Sequence, residues 1–126
     1  MSVLADTSVL IDHLRGVEAA RDRLHDVLAG DGTLAASVLT RIELAIGMRK
    51  AERRATDALV AAIRWLPVDA AVAEEADALA RGHGAAHSGI DAVDYCIAAT
   101  ARVHGLDLWT LNVRHFPMIR GLRPPW

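Results

Sequence analysis

Four carboxylates stand where a chain of alternating strands and helices tolerates them only for a reason: Asp6, Glu43, Asp91 and Asp94. Asp6 closes the apolar run Val3-Leu4-Ala5, and Thr7-Ser8 follow it before a helical pattern of Val9, Leu10 and Leu14 begins. Ligands of open α/β sheets gather at the carboxyl ends of strands, so Asp6 sits where chemistry is usually done. Thr7 and Ser8 are the better placed residues to cap the helix behind it, and the Asp6 carboxylate is expected to be free. Asp94 is the most telling of the four. On a helix beginning near Ile90, the residues Ile90, Asp94, Ile97, Ala98 and Ala101 share one apolar face. A carboxylate facing a core is costly unless it is paired or binds a cation, and a first-turn position recovers at most about 1 kcal/mol from the helix dipole.

The other two acids have plain structural alternatives. Thr40-Arg41-Ile42-Glu43 spells a capping box, which taken by itself outweighs a metal role for Glu43. Asp91 precedes Asp94 by three residues, so the pair are helix-face neighbours of like charge; Asp91 reads equally as an N-cap or a ligand. Asn112 follows the alternating Leu106, Leu108 and Leu111 and stands at the end of another strand, where Asn also suits a turn. Taken together, carboxylates from strand ends and helix starts meet on one edge of one sheet. Oxygen-only clusters of this kind hold Mg²⁺ or Mn²⁺, and the matching reaction class is phosphoryl transfer, with metal activating water and neutralising the leaving oxygen. His83 and His87 have the i, i+4 spacing of a zinc pair, but Gly84 and Gly89 argue against a helix there and no cysteine supports the site.

The elements that must position these residues alternate. Residues 2–6 read as a strand, then 8–15 and 17–29 as helices broken at Gly16. Gly30-Asp31-Gly32 turns into a strand over 34–38, and helices follow at 40–49 and 51–64. Residues 65–68 read as an edge strand, because Pro67 cannot donate to a ladder. A helix over 70–82, a Gly-rich connection, a helix over 91–104 ended by Gly105 as a left-handed cap, and a strand over 106–111 complete the pattern. The tail Arg123-Pro124-Pro125-Trp126 is at most another edge strand. Strands separated by helices predict a three-layer α/β/α fold around a parallel sheet of four to five strands with right-handed crossovers.

Composition agrees. A chain of 126 residues with 52% apolar side chains is expected to form one domain, residues 1–126, with a substantial core. No uncharged apolar run approaches the roughly 20 residues that cross a bilayer, so no membrane partner is expected. Asp6 and Asp12 interrupt the first apolar stretch with no basic start before it, unlike a secretory signal. The lone Cys96 can form no intrachain disulfide, and a reducing, cytoplasmic location is expected. A net charge of −2 does not announce a nucleic-acid binder, although the basic side is thirteen arginines to one lysine.

At this point the residues resemble the PIN-domain family, and within it the VapC-type toxins of bacterial toxin–antitoxin pairs. The likeness spans nearly the whole chain: Asp6-Thr7-Ser8 at the first strand's end, Glu43 in a helix after the second, and Asp94-Tyr95-Cys96-Ile97-Ala98-Ala99. It closes on Thr110-Leu111-Asn112 and Val113-Arg114-His115-Phe116. The resemblance implies a Mg²⁺- or Mn²⁺-dependent endoribonuclease silenced by a cognate VapB-type antitoxin, whose basic or aromatic segment enters the acidic cleft. It assigns Asp6, Glu43 and Asp94 as catalytic metal ligands, with Asp91 as a less regular fourth and Ser8, Thr110 and Asn112 in support. Asn112 departs from family members that carry Asp there. Arg41, Arg114 and His115, near the acids but outside the metal shell, are the candidates for RNA phosphates. The segment 42–66 carries more apolar side chains than two short helices need for a core, among them Ile42, Leu44, Ile46, Leu59 and Ile63, which predicts a homodimer and an antitoxin-docking surface there. The alternative is a catalytically silent PIN fold that binds RNA or protein. A receiver domain is excluded, because Thr7-Ser8 rather than acids follow Asp6 and no lysine ends a late strand.

Overall fold

A computed structural model describes residues 1–84 and 89–126, so the candidate zinc position His87 lies outside the described residues. Val3–Ala5 forms β1, and the chain turns at once into α1, Thr7–Leu14. Gly16, at a φ of +82° that side chains rarely adopt, separates α1 from α2, Glu18–Ala29. β2 is Leu34–Ser37 and α3 is Val38–Gly47; a single 3₁₀ turn, Lys50–Glu52, leads into α4, Arg53–Ala62. β3, Arg64–Leu66, ends at Pro67, followed by α5, Ala70–His83, α6, Ala92–His104, and β4, Asp107–Trp109. Gly105 closes α6 at a φ of +63°, the left-handed cap expected from the sequence.

The four strands form one parallel sheet in the order β3-β2-β1-β4. The tail beyond residue 120 adds no strand, because it carries prolines and no apolar alternation, and four is the count among the described residues. β1 and β2 are buried throughout, as continuous apolar strands covered on both faces should be. Strand alternation divides the interior into two layers. Leu4, Ala35, Leu66 and Leu108 point toward α5 and α6 and pack with Val72, Ala76, Leu79, Ile97 and Ala98. Val3, Ala5, Leu34, Ala36 and Trp109 point the other way, onto Val9, Leu10, Leu24, Leu44 and Leu59 of α1 to α4. This is the predicted three-layer arrangement. No described helix is long and apolar enough to cross a membrane.

The strand order positions the site. From β1 the chain steps outward through β2 to β3, then returns to place β4 on the opposite side of β1. Reversal of strand order opens a crevice at the carboxyl ends of the two strands flanking it. Asp6 follows β1, and Thr110 to Asn112 follow β4, so both reach that crevice.

Candidate active site

Asp6 is extended and serves as the N-cap of α1, its Oδ1 accepting the Thr7 amide at 2.8 Å. Its Oδ2 accepts the Thr110 hydroxyl at 2.7 Å and the Ser8 hydroxyl at 3.3 Å. The carboxylate is therefore not free, contrary to the sequence reading. Thr7 and Ser8 leave the cap to Asp6 because their hydroxyls are engaged elsewhere: Thr7 donates to Glu43, and Ser8 accepts the Leu111 amide at 3.1 Å. Only 6% of Asp6 is exposed, and these three donors make such burial tolerable. The Asp6 amide donates to the Trp109 carbonyl at 2.8 Å, closing the β1–β4 junction beneath the carboxylate.

Glu43 does not form a capping box with Thr40. β2 runs directly into α3, and Ser37, the last residue of that strand, already caps the helix, its hydroxyl accepting the Leu39 amide at 3.2 Å. The capping position thus falls three residues before Thr40, which is fully buried inside the helix. Glu43 projects from the middle of α3 toward α1, and its Oε1 accepts the Thr7 hydroxyl at 2.8 Å. The Thr7 and Thr40 hydroxyls are 3.2 Å apart. Thr7 has one hydroxyl proton and a carboxylate can only accept, so that proton goes to Glu43.

Asp91 and Asp94 form a reciprocal capping box at the start of α6. Asp91 Oδ1 accepts the Asp94 amide at 2.9 Å and Asp94 Oδ2 accepts the Asp91 amide at 3.3 Å. Two backbone donors thereby offset the like-charge repulsion expected at this spacing. The Asp94 side chain is 15% exposed, and the His115 Nδ1 lies 3.5 Å from its Oδ2. Burial raises the Asp94 carboxyl above its ordinary range, and the charges of Asp91 and Asp6 push the same way; the Asp91 amide and His115 oppose them.

An open cleft of about 360 Å³ is lined by Asp6, Glu43, Asp91, Asp94, Asn112 and His115. Asn112 is tied in by its amide, which donates to the Thr110 hydroxyl at 3.0 Å. Two of the three basic candidates are not brought to this cleft. Arg41 is exposed, with its guanidinium 5.7 Å from the centre of the Trp65 ring, and Arg114 is exposed and outside the lining. Thr7 and Thr40 are the contributors that the sequence did not single out as site residues. The signal for Thr7 was its place directly behind a strand-ending acid.

The donor set is all oxygen apart from His115, which suits a hard cation. Among the described residues no three acids, histidines or cysteines stand close enough to form a ready-made cage. Mg²⁺ does not need one: it keeps several waters and is held by one or two carboxylates together with substrate phosphate. Asp94 Oδ1 and Glu43 Oε2 accept no hydrogen bond from the described residues, so each has lone pairs to offer.

Comparison with known proteins adds a second line of observation. The pattern of the PIN domain matches residues 3–120. The chain is 46% identical over 123 residues to Ribonuclease VapC19 of Mycobacterium tuberculosis, covering 98% of each chain. It is 48% identical over 124 residues to Ribonuclease VapC10 of the same organism, covering 98% of this chain and 92% of that one. Among solved structures, a chain of a toxin–antitoxin complex from Klebsiella pneumoniae superposes with a TM-score of 0.81 at 28% identity, over 98% of both chains.

Proposed function

The chain belongs to the PIN-domain family, and from that premise we propose that it is a divalent-metal-dependent endoribonuclease, the toxin of a toxin–antitoxin pair, with residues 1–126 forming a single nuclease domain of the cytoplasm. The observation that carries the reading is the convergence of Asp6, Glu43 and Asp94, from β1, α3 and α6, on one cleft at the sheet's switch point.

Asp6, Glu43 and Asp94 are the residues that would hold Mg²⁺ or Mn²⁺, with Asp91 at the rim. The cation would supply charge neutralisation at the scissile phosphate and acidify the attacking water. The chain's own side chains set up that chemistry. Thr110, just past β4, and Ser8 of α1 fix the Asp6 carboxylate, and Thr7 of α1 fixes Glu43. The Asp91 amide orients Asp94. His115 lines the same cleft, where a ring N–H would meet a phosphate oxygen. Arg41 and Arg114, outside the lining, are left to phosphates that flank the cut.

The partner follows from α3. Leu44, Leu59 and Ile63 are buried, whereas Ile42 and Ile46, one turn apart, are 57% and 81% exposed. They lie on the helix that carries Glu43. A homodimer with a VapB-type antitoxin along this face would cover them and bring a basic side chain to the carboxylates, a charge-assisted pairing.

The direct test is cleavage of RNA by the purified protein with Mg²⁺ or Mn²⁺, with a chelator, and with the Asp94→Asn variant. Cleavage is expected with metal, and its loss with chelator or with the variant; near-wild-type cutting by Asp94→Asn overturns the assignment. Co-expression with the product of the neighbouring gene is expected to suppress cutting, and equal cutting in its presence overturns the partner.

A further inference from the structure

An acidic cleft repels the polymer it is proposed to cut, and since Arg41 and Arg114 stand outside its lining, a larger set of cations nearby bears on how the RNA is received. A second concavity, of about 560 Å³, runs along the outer edge of β4 between that strand and the C-terminal segment. Its walls carry Arg23, Arg102, Arg120 and Arg123 against the single acid Asp107, in a chain whose net charge is −2. Arg102 is paired with Glu75 at 2.8 Å. Arg23, Arg120 and Arg123 form no ion pair with any described acid. Arg23 is held in place: its Nε donates to the Pro125 carbonyl at 2.8 Å, and its guanidinium lies 5.4 Å from the centre of the Trp109 ring. A fork fixed by stacking loses less freedom when it meets a phosphate.

The groove and the catalytic cleft share no lining residue, but they are neighbours along β4. Trp109 ends β4, and the next residue, Thr110, bonds Asp6. A strand of three residues rises only about 10 Å, so one short segment of polymer reaches from the acids into the groove. We propose that this groove binds the phosphate backbone of the single-stranded RNA flanking the cleavage site, with Arg23, Arg120 and Arg123 as the phosphate contacts; the inference rests on the endoribonuclease reading. Arginine forks match phosphate oxygens, and an electrostatic groove beside the reacting centre tracks a single strand without reading its sequence.

The test measures binding of a labelled single-stranded RNA oligonucleotide to the metal-free, full-length protein across a salt series. Arg120 and Arg123 are both exposed, which leaves the fold intact in the Arg120→Gln/Arg123→Gln double variant. Two lost contacts are expected to make the plot of log affinity against log salt shallower by about 1.4, at roughly 0.7 per phosphate for single strands. Lysine at both positions is expected to restore the slope, and Asp107→Asn to tighten binding. An unchanged slope in a double variant whose parent binds and cuts RNA overturns the groove alone. Failure of the parent to bind or cut RNA overturns both the groove and the endoribonuclease reading. An altered oligomeric state in the double variant with an unchanged slope also overturns the groove and makes this face a protein contact.

Discussion

Thr7 joins two of the acids: its amide is held by Asp6 and its hydroxyl proton by Glu43. Removing the hydroxyl in Thr7→Val leaves Glu43 unoriented and the buried Thr40 hydroxyl without this contact. A loss of about 1–3 kcal/mol in stability is expected, together with weaker Mn²⁺ binding by calorimetry; Thr7→Ser should restore both. Equal Mn²⁺ affinity in Thr7→Val would remove Thr7 from the site. Asp6 and Asp94 should separate under neutralisation. Three donors point at Asp6, and an amide cannot accept from all of them, so Asp6→Asn is expected to destabilise the metal-free protein by about 1–3 kcal/mol. Asp94 has a carboxyl raised by burial, which means its charge is disfavoured in the fold, and Asp94→Asn is expected to melt no lower than the parent at neutral pH. Thermal melts with chelator check both. The positions of Asp6 and Asp94, at a strand end and on the apolar face of a helix start, singled them out in the sequence, whereas Glu43 and Asp91 read equally or better as caps. The partners of these acids were not legible there: the bond from Thr110 to Asp6 spans 104 residues, and no local pattern carries it.

At the scale of elements, boundaries decided what the sequence could tell. Periodicity located the helices and strands to within a few residues, and Gly105 marked the end of α6 through a left-handed conformation that glycine adopts without the strain a side chain would bring. The start of α3 was misplaced. A Thr-x-x-Glu pattern looked like a cap, but the strand before it ended in Ser37, whose own hydroxyl caps the helix. A strand that passes straight into a helix has no loop to announce the junction. Ser37→Ala is accordingly expected to cost about 1 kcal/mol in urea unfolding. The order of the strands was not legible, since parallel pairing is set by packing across the sheet and not by neighbours in sequence. That order is what turns separate strand ends into a single crevice.

For the whole molecule, charge and burial set the response to pH. His13, on α1, has a buried Nδ1 with no described partner, and burial, aided by the Arg21 charge, lowers its pKa. A lowered value means the unfolded chain takes up the proton first on acidification. Stability is therefore full above about pH 6.5, the ordinary imidazole value, and falls as pH drops toward the folded value. Replacing His13 by Leu should flatten this part of the stability–pH profile measured by urea unfolding; an unchanged profile would assign it to other groups. The acids stand beyond the carboxyl end of β4 and the arginine groove runs along its outer edge, an arrangement that in the proposed reading aligns a polymer with a site that would otherwise repel it. In the proposed reaction Asp6, Glu43 and Asp94 direct water, and not the substrate's own 2′-hydroxyl, against an RNA phosphodiester. Mass spectrometry of RNA fragments cut with Mg²⁺ in ¹⁸O-labelled water tests it most directly. Fragments bearing a phosphate monoester with one solvent-derived oxygen, and none from Asp94→Asn, are the expected result; ends carrying a 2′,3′-cyclic phosphate, or label appearing equally with Asp94→Asn, would contradict it.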